Sequence, residues 1–211
     1  WDLLGQAADM ALSTLLGGRF GDDAELYQTI PHDTPDAMRA GLAEARAEGY
    51  RRFQPKVGGE PDTDIERICA LAAERQTGEV VVVDANGGWL AHEAMRVVGA
   101  IRDLDITIEQ PCASYEACLA VRRHTDLPLV LDEVIDSVPA LLRAHADGAM
   151  DAINLKLSKV GGMTRARQIR DLCVALGLPM TIEDSGGGDI IGTAVAHLAQ
   201  ATPDKYRFGV S

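Results

Sequence analysis

Five ionisable side chains recur at regular intervals, each at or just after the end of a short β-rich run. They are Lys56 after RRFQP, Asp84 closing EVVVVD, Glu109 closing ITIE, Asp132 after LPLVL and Lys156 closing DAINLK. The successive intervals are 28, 25, 23 and 24 residues, which is the length of one strand, one helix and their loops. The pattern therefore predicts that the five residues occupy equivalent places in successive units of one sheet.

The three central members of this series are carboxylates with an amine on either side. Three acidic groups brought together in a poorly hydrated site need a compensating cation, because burial and mutual repulsion both oppose their charged form. Carboxylate oxygens are hard ligands of the kind that Mg²⁺ prefers, and Mg²⁺ keeps its other positions for water or substrate. Any one acidic residue after a strand can simply cap a helix or face solvent. Their joint occurrence on consecutive strands favours Asp84, Glu109 and Asp132 as Mg²⁺ ligands.

The elements that must position these residues alternate between strand and helix along the whole chain. Strand candidates are AELYQTI, RRFQPKV, EVVVVD, ITIEQ, LPLVLDE, DAINLKL, LPMTIED and KYRFGV. Amphipathic helices are predicted over 34–49, 63–78 and 163–179, with Thr34 and Pro35 at the first start and Gly49, Gly78 and Gly177 at the ends. Repeated alternation implies parallel strands, so the fold class is α/β, a (β/α) barrel of the TIM type, with a doubly wound open sheet as the alternative.

Side chains in the second strand alternate between the two faces of the sheet. Gln54 and Lys56 must point to one side of the sheet and Phe53 and Pro55 to the other. If Lys56 faces the barrel interior, Gln54 faces it too. Pro55 is an unfavourable residue for a fully paired strand, because it cannot donate a ladder hydrogen bond.

Composition narrows the classes of partner. The formal net charge of −12 leaves no basic stripe for nucleic acid, so a metal cation or a cationic substrate is the expected partner. There is no apolar run near 18 residues, so no membrane span is expected. The four cysteines form no CxxC pair, and we expect free, buried thiols in a reducing, cytoplasmic setting.

The motifs resemble the enolase superfamily, in particular its mandelate racemase/muconate lactonizing enzyme branch. The matching pieces, in order, are FQPKVGG, VVVDANGGW, IEQP, LVLDE and INLKLSKVGGMTRA. The resemblance implies that residues 1–211 are one enolase-type barrel domain, with 1–18 as the helix leading into it. In relatives a separate α+β capping domain closes the barrel mouth. We expect that domain to be missing from this sequence and both ends of the sequence to be cropped.

The resemblance also implies roles for the strand-end residues. Asp84, Glu109 and Asp132 would bind Mg²⁺, and Lys56 and Lys156 would be acid/base catalysts on opposite faces of a small-molecule carboxylate substrate. Family members remove the proton α to the carboxylate and stabilise the resulting enediolate on the metal. Desolvation and a nearby Mg²⁺ would both lower the pKa of a lysine base. The protein is expected to be a homo-oligomer, as relatives commonly are.

Two departures from the family pattern point to the substrate. Gln54 stands where Lys-x-Lys relatives carry a lysine, so it is a candidate ligand for the substrate carboxylate, and Asn86 is a further substrate-binding candidate. The stretch TIEDSGGGDIIG places Glu183 and Asp184 before a glycine run and Asp189 after it, at the predicted N-cap of the next helix. These three acidic groups would favour an ammonium group, and the stretch is similar to family members acting on proline or betaine substrates. A phosphate cradle at 186–188 and a capped flexible loop are the alternatives.

Three hypotheses of function follow. The first is a racemase or epimerase in which Lys56 and Lys156 exchange the α-proton between two faces. The second is a dehydratase of a hydroxylated amino acid or acid sugar, which uses the same α-proton abstraction. The third is a non-catalytic fragment or binding module.

Overall fold

The protein is described by a computed structural model that covers every residue from Trp1 to Ser211. The chain forms two compact units. The first unit comprises Trp1–Leu26, Ile135–Leu141 and Ala152–Ser211, and the second comprises Tyr27–Val134 and Leu142–Asp151. No helix in the chain combines the length and apolar character needed to cross a membrane.

Eight strands form a sheet whose order follows the chain from first to last. They are β1 (Tyr27–Ile30), β2 (Arg52–Pro55), β3 (Val80–Asp84), β4 (Thr107–Glu109), β5 (Leu129–Leu131), β6 (Ala152–Lys156), β7 (Met180–Glu183) and β8 (Arg207–Val210). A doubly wound sheet reverses its strand order at a switch point, whereas this sheet does not. Strands in chain order with helical crossovers confirm the predicted (β/α) barrel fold class.

Helices connect the strands. They are α1 (Asp2–Ala8), α2 (Leu12–Leu15), α3 (Pro35–Ala47), α4 (Pro61–Glu74), α5 (Ala91–Ala100), α6 (Tyr115–Arg122), α7 (Val138–Ala146), α8 (Met163–Leu176) and α9 (Gly188–Gln200), with a 3₁₀ turn at Asp204–Tyr206. The segment 1–18, predicted as one leading helix, contains the two short helices α1 and α2. The break falls at Asp9, whose φ of +49° ends α1 in the left-handed region.

Helix boundaries follow capping chemistry. Thr34 caps α3 through a hydrogen bond from Ala37 N, with Pro35 in the first helical position, as predicted. Gly177, with φ +76°, ends α8, also as predicted. The predicted range 63–78 is shifted, because the Glu60 carboxylate accepts from Thr63 N and α4 begins at Pro61 and ends at Glu74. Gly78 therefore lies in the turn before β3 rather than at a helix end.

In the second unit, β1 to β5 pair in parallel, each with the next. The helices bury one stripe against them. In α3 the buried residues are Met38, Leu42 and Ala45, and in α4 they are Pro61, Asp64, Ile68 and Leu71. Burying each large apolar side chain contributes about 1.5–3 kcal/mol. Asp64 is the one charged residue on this apolar stripe.

The buried stripe of α4 also corrects one expectation. Cys69 is exposed, because its position falls between the inward-facing residues Ile68 and Leu71 and points away from them. Cys112, Cys118 and Cys173 are free and buried, as predicted.

In the first unit, β6, β7 and β8 are parallel neighbours, and Val210 at the end of β8 forms a parallel bridge with Leu26. Arg170 on the buried face of α8 is 3% exposed. Its guanidinium donates to Leu16 O at 2.6 Å and also to Ala201 O. This one side chain therefore ties the segment after α2 and the end of α9 to α8.

Candidate active site

In the second unit, four of the five predicted strand-end residues lie at the carboxyl ends of neighbouring strands. Asp84 and Glu109 are the last residues of β3 and β4 and are direct register partners. Glu109 in turn pairs with Val130, which places Asp132 two residues beyond that partner on the next chain segment. Lys56 follows β2 and bridges to Asp84. These four residues therefore lie at one edge of the sheet, as their spacing predicted.

The three carboxylates are buried, and side chains of the β2 segment contact Asp84 and Glu109. Asp84, Glu109 and Asp132 are 1%, 2% and 0% exposed. Lys56 Nζ lies 2.5 Å from Asp84 Oδ2, and Gln54 Nε2 donates to Glu109 Oε2 at 3.0 Å. Both contacts come from β2 or the residue after it, so Gln54 and Lys56 share a face as side-chain alternation predicted. Gln54, proposed from sequence as a ligand of the substrate, here binds a strand-end carboxylate.

Asp64 is a buried carboxylate that sequence reasoning missed, and it joins the loops that follow Lys56 and Asp84. Its Oδ2 accepts from Gly58 N at 2.9 Å, Gly59 N at 2.7 Å and Trp89 Nε1 at 2.9 Å. Its Oδ1 accepts from Arg67 at 2.9 Å. These charge-assisted hydrogen bonds offset the desolvation cost of burying a carboxylate. The available signal was an aspartate in phase with Ile68 and Leu71 on the apolar stripe of α4.

The same two loops touch backbone to backbone. Gly58 has φ +100°, and a Cβ there would lie 2.3 Å from Ala85 O, immediately after Asp84. A Cβ on Gly88 would lie 2.3 Å from Gly58 O. Only glycine permits both approaches, because any side chain would force the loops apart. The glycines of the KVGG and ANGG sequences thus hold the segments carrying Lys56 and Asp84 together.

Asn86 lies in the loop after β3 and is exposed. Its backbone N donates to Asp84 Oδ1 at 2.8 Å, and its side-chain amide donates to Glu133 Oε1 at 3.1 Å. Its φ is +45°. The residue therefore fixes the Asp84 side chain locally and reaches the loop after β5.

In the first unit, Lys156 ends β6 and Glu183 ends β7, and the two are register partners. Lys156 Nζ lies 3.3 Å from Glu183 Oε1, which also accepts from Asn154 Nδ2 at 2.7 Å. Glu183 Oε2 is buried and has no hydrogen-bond partner. Burial, and after it the charge of Asp184, raise the pKa of Glu183 to about 8 despite the nearby ammonium. Glu183 is therefore held with a proton near neutral pH.

Asp184 differs from Glu183 although the two are adjacent. Its carboxylate accepts hydrogen bonds from Ser158 N at 2.8 Å, from Ser158 Oγ and from Ser185 N at 2.8 Å. Burial acts to raise the pKa of Asp184, but these hydrogen bonds prevail and hold its pKa below the usual range. Asp184 is thus an anion that connects the loops after β6 and β7.

Asp189 lies in the next element, at the start of α9. The N-cap of α9 is Gly187, with φ +113°, so Asp189 is the second helical residue rather than the N-cap that its position had suggested. It lines a cleft of 920 Å³ in the first unit together with Trp1, Met10, Met163 and His197.

The strand-end carboxylates of the second unit suit a hard divalent cation by their chemistry. They form an all-oxygen donor set at three neighbouring strand ends, the kind that Mg²⁺ takes. Across residues 1–211 no three His, Cys, Asp or Glu side chains close around one point. The cation held against Asp84 in this structure is the Lys56 ammonium. The donor set fits Mg²⁺, and the residues that would hold it are Asp84, Glu109 and Asp132.

Parallel strands in chain order, with lysines and carboxylates at their carboxyl ends, define a barrel domain of the kind that carries enzyme active sites. The family profile described as Enolase C-terminal domain-like matches residues 37–210. The chain belongs to this family, which confirms the resemblance to the enolase superfamily and its mandelate racemase/muconate lactonizing enzyme branch.

Two curated relatives give the range of activities. The chain is 52% identical over 211 residues to a cis-3-hydroxy-L-proline dehydratase of Roseibium aggregatum, covering 100% of this chain and 58% of the relative. It is 32% identical over 206 residues to an L-Ala-D/L-Glu epimerase of Clostridium acetobutylicum, covering 95% of this chain and 57% of the relative. The chain thus spans somewhat more than half the length of the curated relatives it matches.

Solved structures agree with the fold. A mandelate racemase/muconate lactonizing enzyme from Roseovarius nubinhibens ISM matches with a TM-score of 0.96 and 42% identity, over 100% of this chain and 56% of that one. An enolase superfamily member from the same organism, complexed with magnesium, matches with a TM-score of 0.95 and 40% identity, over 100% and 57%.

Proposed function

We propose that the protein containing this chain is a Mg²⁺-dependent lyase that dehydrates a 3-hydroxylated, proline-type amino acid. The observation that carries the proposal is the 52% identity, over the whole chain, to a cis-3-hydroxy-L-proline dehydratase. The relative named as an epimerase is more distant, at 32%. The sequence alone placed an epimerase first, and the comparison gives the dehydratase the stronger support.

The stereochemistry of such a substrate requires two proton-transfer groups. In a cis-3-hydroxyproline the carboxylate and the hydroxyl lie on one face of the ring, so the α-hydrogen lies on the other. A base must remove the α-proton from one face, and an acid must protonate the leaving hydroxyl on the opposite face. We assign these two roles to Lys56, which directly follows β2, and Lys156, which ends β6, each beside an acidic side chain.

The proton and electron balance of the step is complete with these two lysines. A neutral lysine amine takes the α-proton, and the C–H electron pair forms the Cα–Cβ double bond. The Cβ–O bond breaks, and the hydroxyl leaves as water with a proton from the other lysine's ammonium group. The enamine then tautomerises to a cyclic imine. Mg²⁺ held by Asp84, Glu109 and Asp132 would stabilise the negative charge that develops on the substrate carboxylate.

Side chains around the lysines are proposed to bind the substrate. Glu183, whose pKa is raised to about 8, has a buried oxygen without a partner and is suited to donate a hydrogen bond to a carboxylate. Asp184, held as an anion, is suited to attract the ring ammonium. Gln54, Asn86 and Asp189 are proposed as further substrate-binding residues.

The test uses the full-length protein with Mg²⁺ in D₂O, followed by NMR. The substrates are cis-3-hydroxy-L-proline, its trans isomer and L-proline. We expect the cis isomer to lose water and give the cyclic imine, and the trans isomer, with its hydroxyl on the wrong face, to react poorly. Lys56→Ala and Lys156→Ala should each abolish water loss, while the variant that retains the base should still exchange the α-proton for deuterium. Lys205→Ala, at an exposed lysine beside Tyr206, is the control.

Two results would change the assignment. Inversion at the α-carbon without water loss would establish the epimerase, the candidate that the 32% identity to an L-Ala-D/L-Glu epimerase favours. Absence of α-proton exchange with every substrate would overturn the proposed chemistry.

A further inference from the structure

Gln110 has an unusual backbone conformation directly after a proposed metal ligand. It follows Glu109, is 0% exposed and has φ +35°. A non-glycine residue in this region costs about 1–3 kcal/mol and persists only where its surroundings fix it. The contacts of Gln110 identify what fixes it.

The backbone of Gln110 binds the loop after β3 on one side and β5 on the other. Its N–H donates to Val130 O in β5 at 3.0 Å, and its carbonyl accepts from Gly87 N at 2.8 Å. Gly87 lies three residues after Asp84, and Val130 lies two residues before Asp132. The peptide units around Gln110 thus connect Glu109 to the segments that carry the other two carboxylates.

The side chain of Gln110 makes a second connection to the same segments. Its Oε1 accepts from Asp132 N at 2.8 Å, and its Nε2 donates to Cys112 O at 2.9 Å, with Cys118 Sγ at 3.7 Å. The orientation of the amide is unambiguous, because Asp132 N is a donor and Cys112 O is an acceptor. An amide of this length satisfies both at once. An apolar side chain of the same size would remove the acceptor of Asp132 N and leave Cys112 O with the Cys118 thiol, which donates to it at 3.2 Å.

We propose that Gln110 is a positioning residue that sets the spacing of Asp84, Glu109 and Asp132 for a small divalent cation. This inference rests on the metal site of the proposed function and adds the element that shapes it. Gln110 carries no charge and would not touch the cation, so it acts through the backbone of the three ligands. Residues that hold ligands in this way typically change metal affinity by about 10- to 100-fold when altered.

The relative affinities for Mg²⁺ and Ca²⁺ distinguish a residue that positions the ligands from one that only stabilises the fold. Mg²⁺ demands near-ideal octahedral geometry, whereas Ca²⁺ accepts longer and more variable distances. Loosening the three strand ends should therefore weaken Mg²⁺ binding more than Ca²⁺ binding. Loss of fold stability alone would leave the ratio of the two affinities unchanged.

The experiment is isothermal titration of the full-length protein with Mg²⁺ and, separately, with Ca²⁺, without substrate. The variants are Gln110→Met, which keeps the size but removes both hydrogen bonds, and Gln110→Asn. The latter keeps a buried amide but is one methylene too short to reach both partners, so it gives a second reading if the first variant fails to fold. Cys118→Ala, which removes the sulfur's contacts with Gln110 Nε2 and Cys112 O but leaves the Gln110 hydrogen bonds to Asp132 N and Cys112 O in place, is the matched control.

We expect the Mg²⁺ Kd to rise about 10- to 100-fold in both Gln110 variants, the Ca²⁺ Kd to rise less, and Cys118→Ala to match wild type. An unchanged ratio of the two Kd values in a folded Gln110 variant would overturn the inference and leave the proposed function standing. Absence of Mg²⁺ binding to the wild-type protein would overturn both.

Discussion

At the scale of single residues, the most unusual group in the first unit is the Glu183 carboxyl. It is 4% exposed, one of its oxygens has no hydrogen-bond partner, and the adjacent carboxyl of Asp184 holds three donors. Two neighbouring acids thus meet opposite environments, and their pKa values move in opposite directions. Pairs of this kind often mark sites where one acid carries a proton and the other a charge.

This environment predicts a dependence of stability on pH. The pKa of Glu183 is raised from 4.5 to about 8, so the folded state binds the proton more tightly than the unfolded state. The resulting stabilisation is complete below the unfolded value and is lost as the pH rises through about 8. We expect Glu183→Gln to flatten this decline and to be more stable than wild type at the alkaline end.

The measurement is urea unfolding at several pH values between about 5 and 8, with EDTA present so that bound cations do not contribute. Glu66→Gln, at an exposed glutamate, is the control and should follow wild type. Parallel pH profiles for wild type and Glu183→Gln would contradict the prediction.

The sequence could place those residues whose spacing alone implies a position at a strand end. Asp84, Glu109 and Asp132 recur at the length of one βα unit, and this spacing is readable without a structure. Asp64 and Gln110 were not identified, because their importance depends on which backbone amides they face. Those partners, such as Gly58 N and Asp132 N, come from other elements and are set only when the sheet forms.

At the scale of elements, the pairing of β2 with β3 explains how a proline is tolerated in a strand. The register joins Arg52 to Val80 and Phe53 to Val81, and pairing resumes only at Lys56 and Asp84. Pro55 lies in the interval, so its missing N–H removes no bond from this ladder. On its other side, β1 reaches the segment through Lys56 N, which donates to Ile30 O at 2.9 Å.

The contact between the loops after β2 and β3 predicts that a side chain at Gly58 is poorly tolerated. Gly58 and Gly49 have nearly equal φ values, +100° and +103°, but a Cβ would meet Ala85 O at 2.3 Å in the first case and open space in the second. Gly49→Ala should cost only the backbone strain, about 1–2 kcal/mol. Gly58→Ala should cost about 3 kcal/mol or more, because Ala85 and the adjacent Asp84 must move.

Chemical denaturation of the two variants checks the difference in unfolding free energy, and dehydration assays on the full-length variants check its consequence. Gly49→Ala serves as the control for backbone strain. Equal losses of stability and activity in the two variants would show that the close approach is unimportant.

Element ends show where sequence reasoning was limited. Thr34 and Gly177 were correctly placed, because a threonine before proline and a left-handed glycine after an apolar stripe are local signals. The start of α4 was missed because its cap is Glu60, a residue less typical of that position than serine, threonine or aspartate. Asp189 was placed at a cap that the glycine Gly187 occupies instead.

At the scale of the whole molecule, charge and fold act together on metal binding. The formal net charge of −12 favours cations in general, whereas the strand-end carboxylates are the specific place that we propose for one. The fold class was predictable because every repeat carries the same strand–helix pattern. The division into two compact units was not, because no linker or change of composition marks it.

If Mg²⁺ binds at the proposed site, it should stabilise the folded protein. At a concentration 100-fold above its Kd, a ligand that binds only the folded state adds about 2.7 kcal/mol to the unfolding free energy. We expect Mg²⁺ to raise the thermal midpoint of the wild-type protein and to have little effect on Asp132→Asn, since a proposed ligand is lost. Asp103→Asn removes the same charge from an exposed position and controls for net charge.

Differential scanning calorimetry at about 0.1 M salt, which screens non-specific attraction, provides the comparison. Equal shifts in Asp132→Asn and Asp103→Asn would assign the effect of Mg²⁺ to overall charge rather than to a site.

The hydrogen bond from the Trp89 indole to Asp64 gives the protein a built-in optical reporter. The chain has two tryptophans, one in each unit: Trp1, bonded to Thr164, and Trp89, which is 2% exposed. In a Trp1→Phe variant Trp89 would be the one indole left in residues 1–211, and its ring shares its acceptor oxygen with the amides of Gly58 and Gly59. Its emission wavelength and lifetime would then follow the loop beside Lys56 in real time, so stopped-flow mixing could time the arrival of a substrate before any bond is broken.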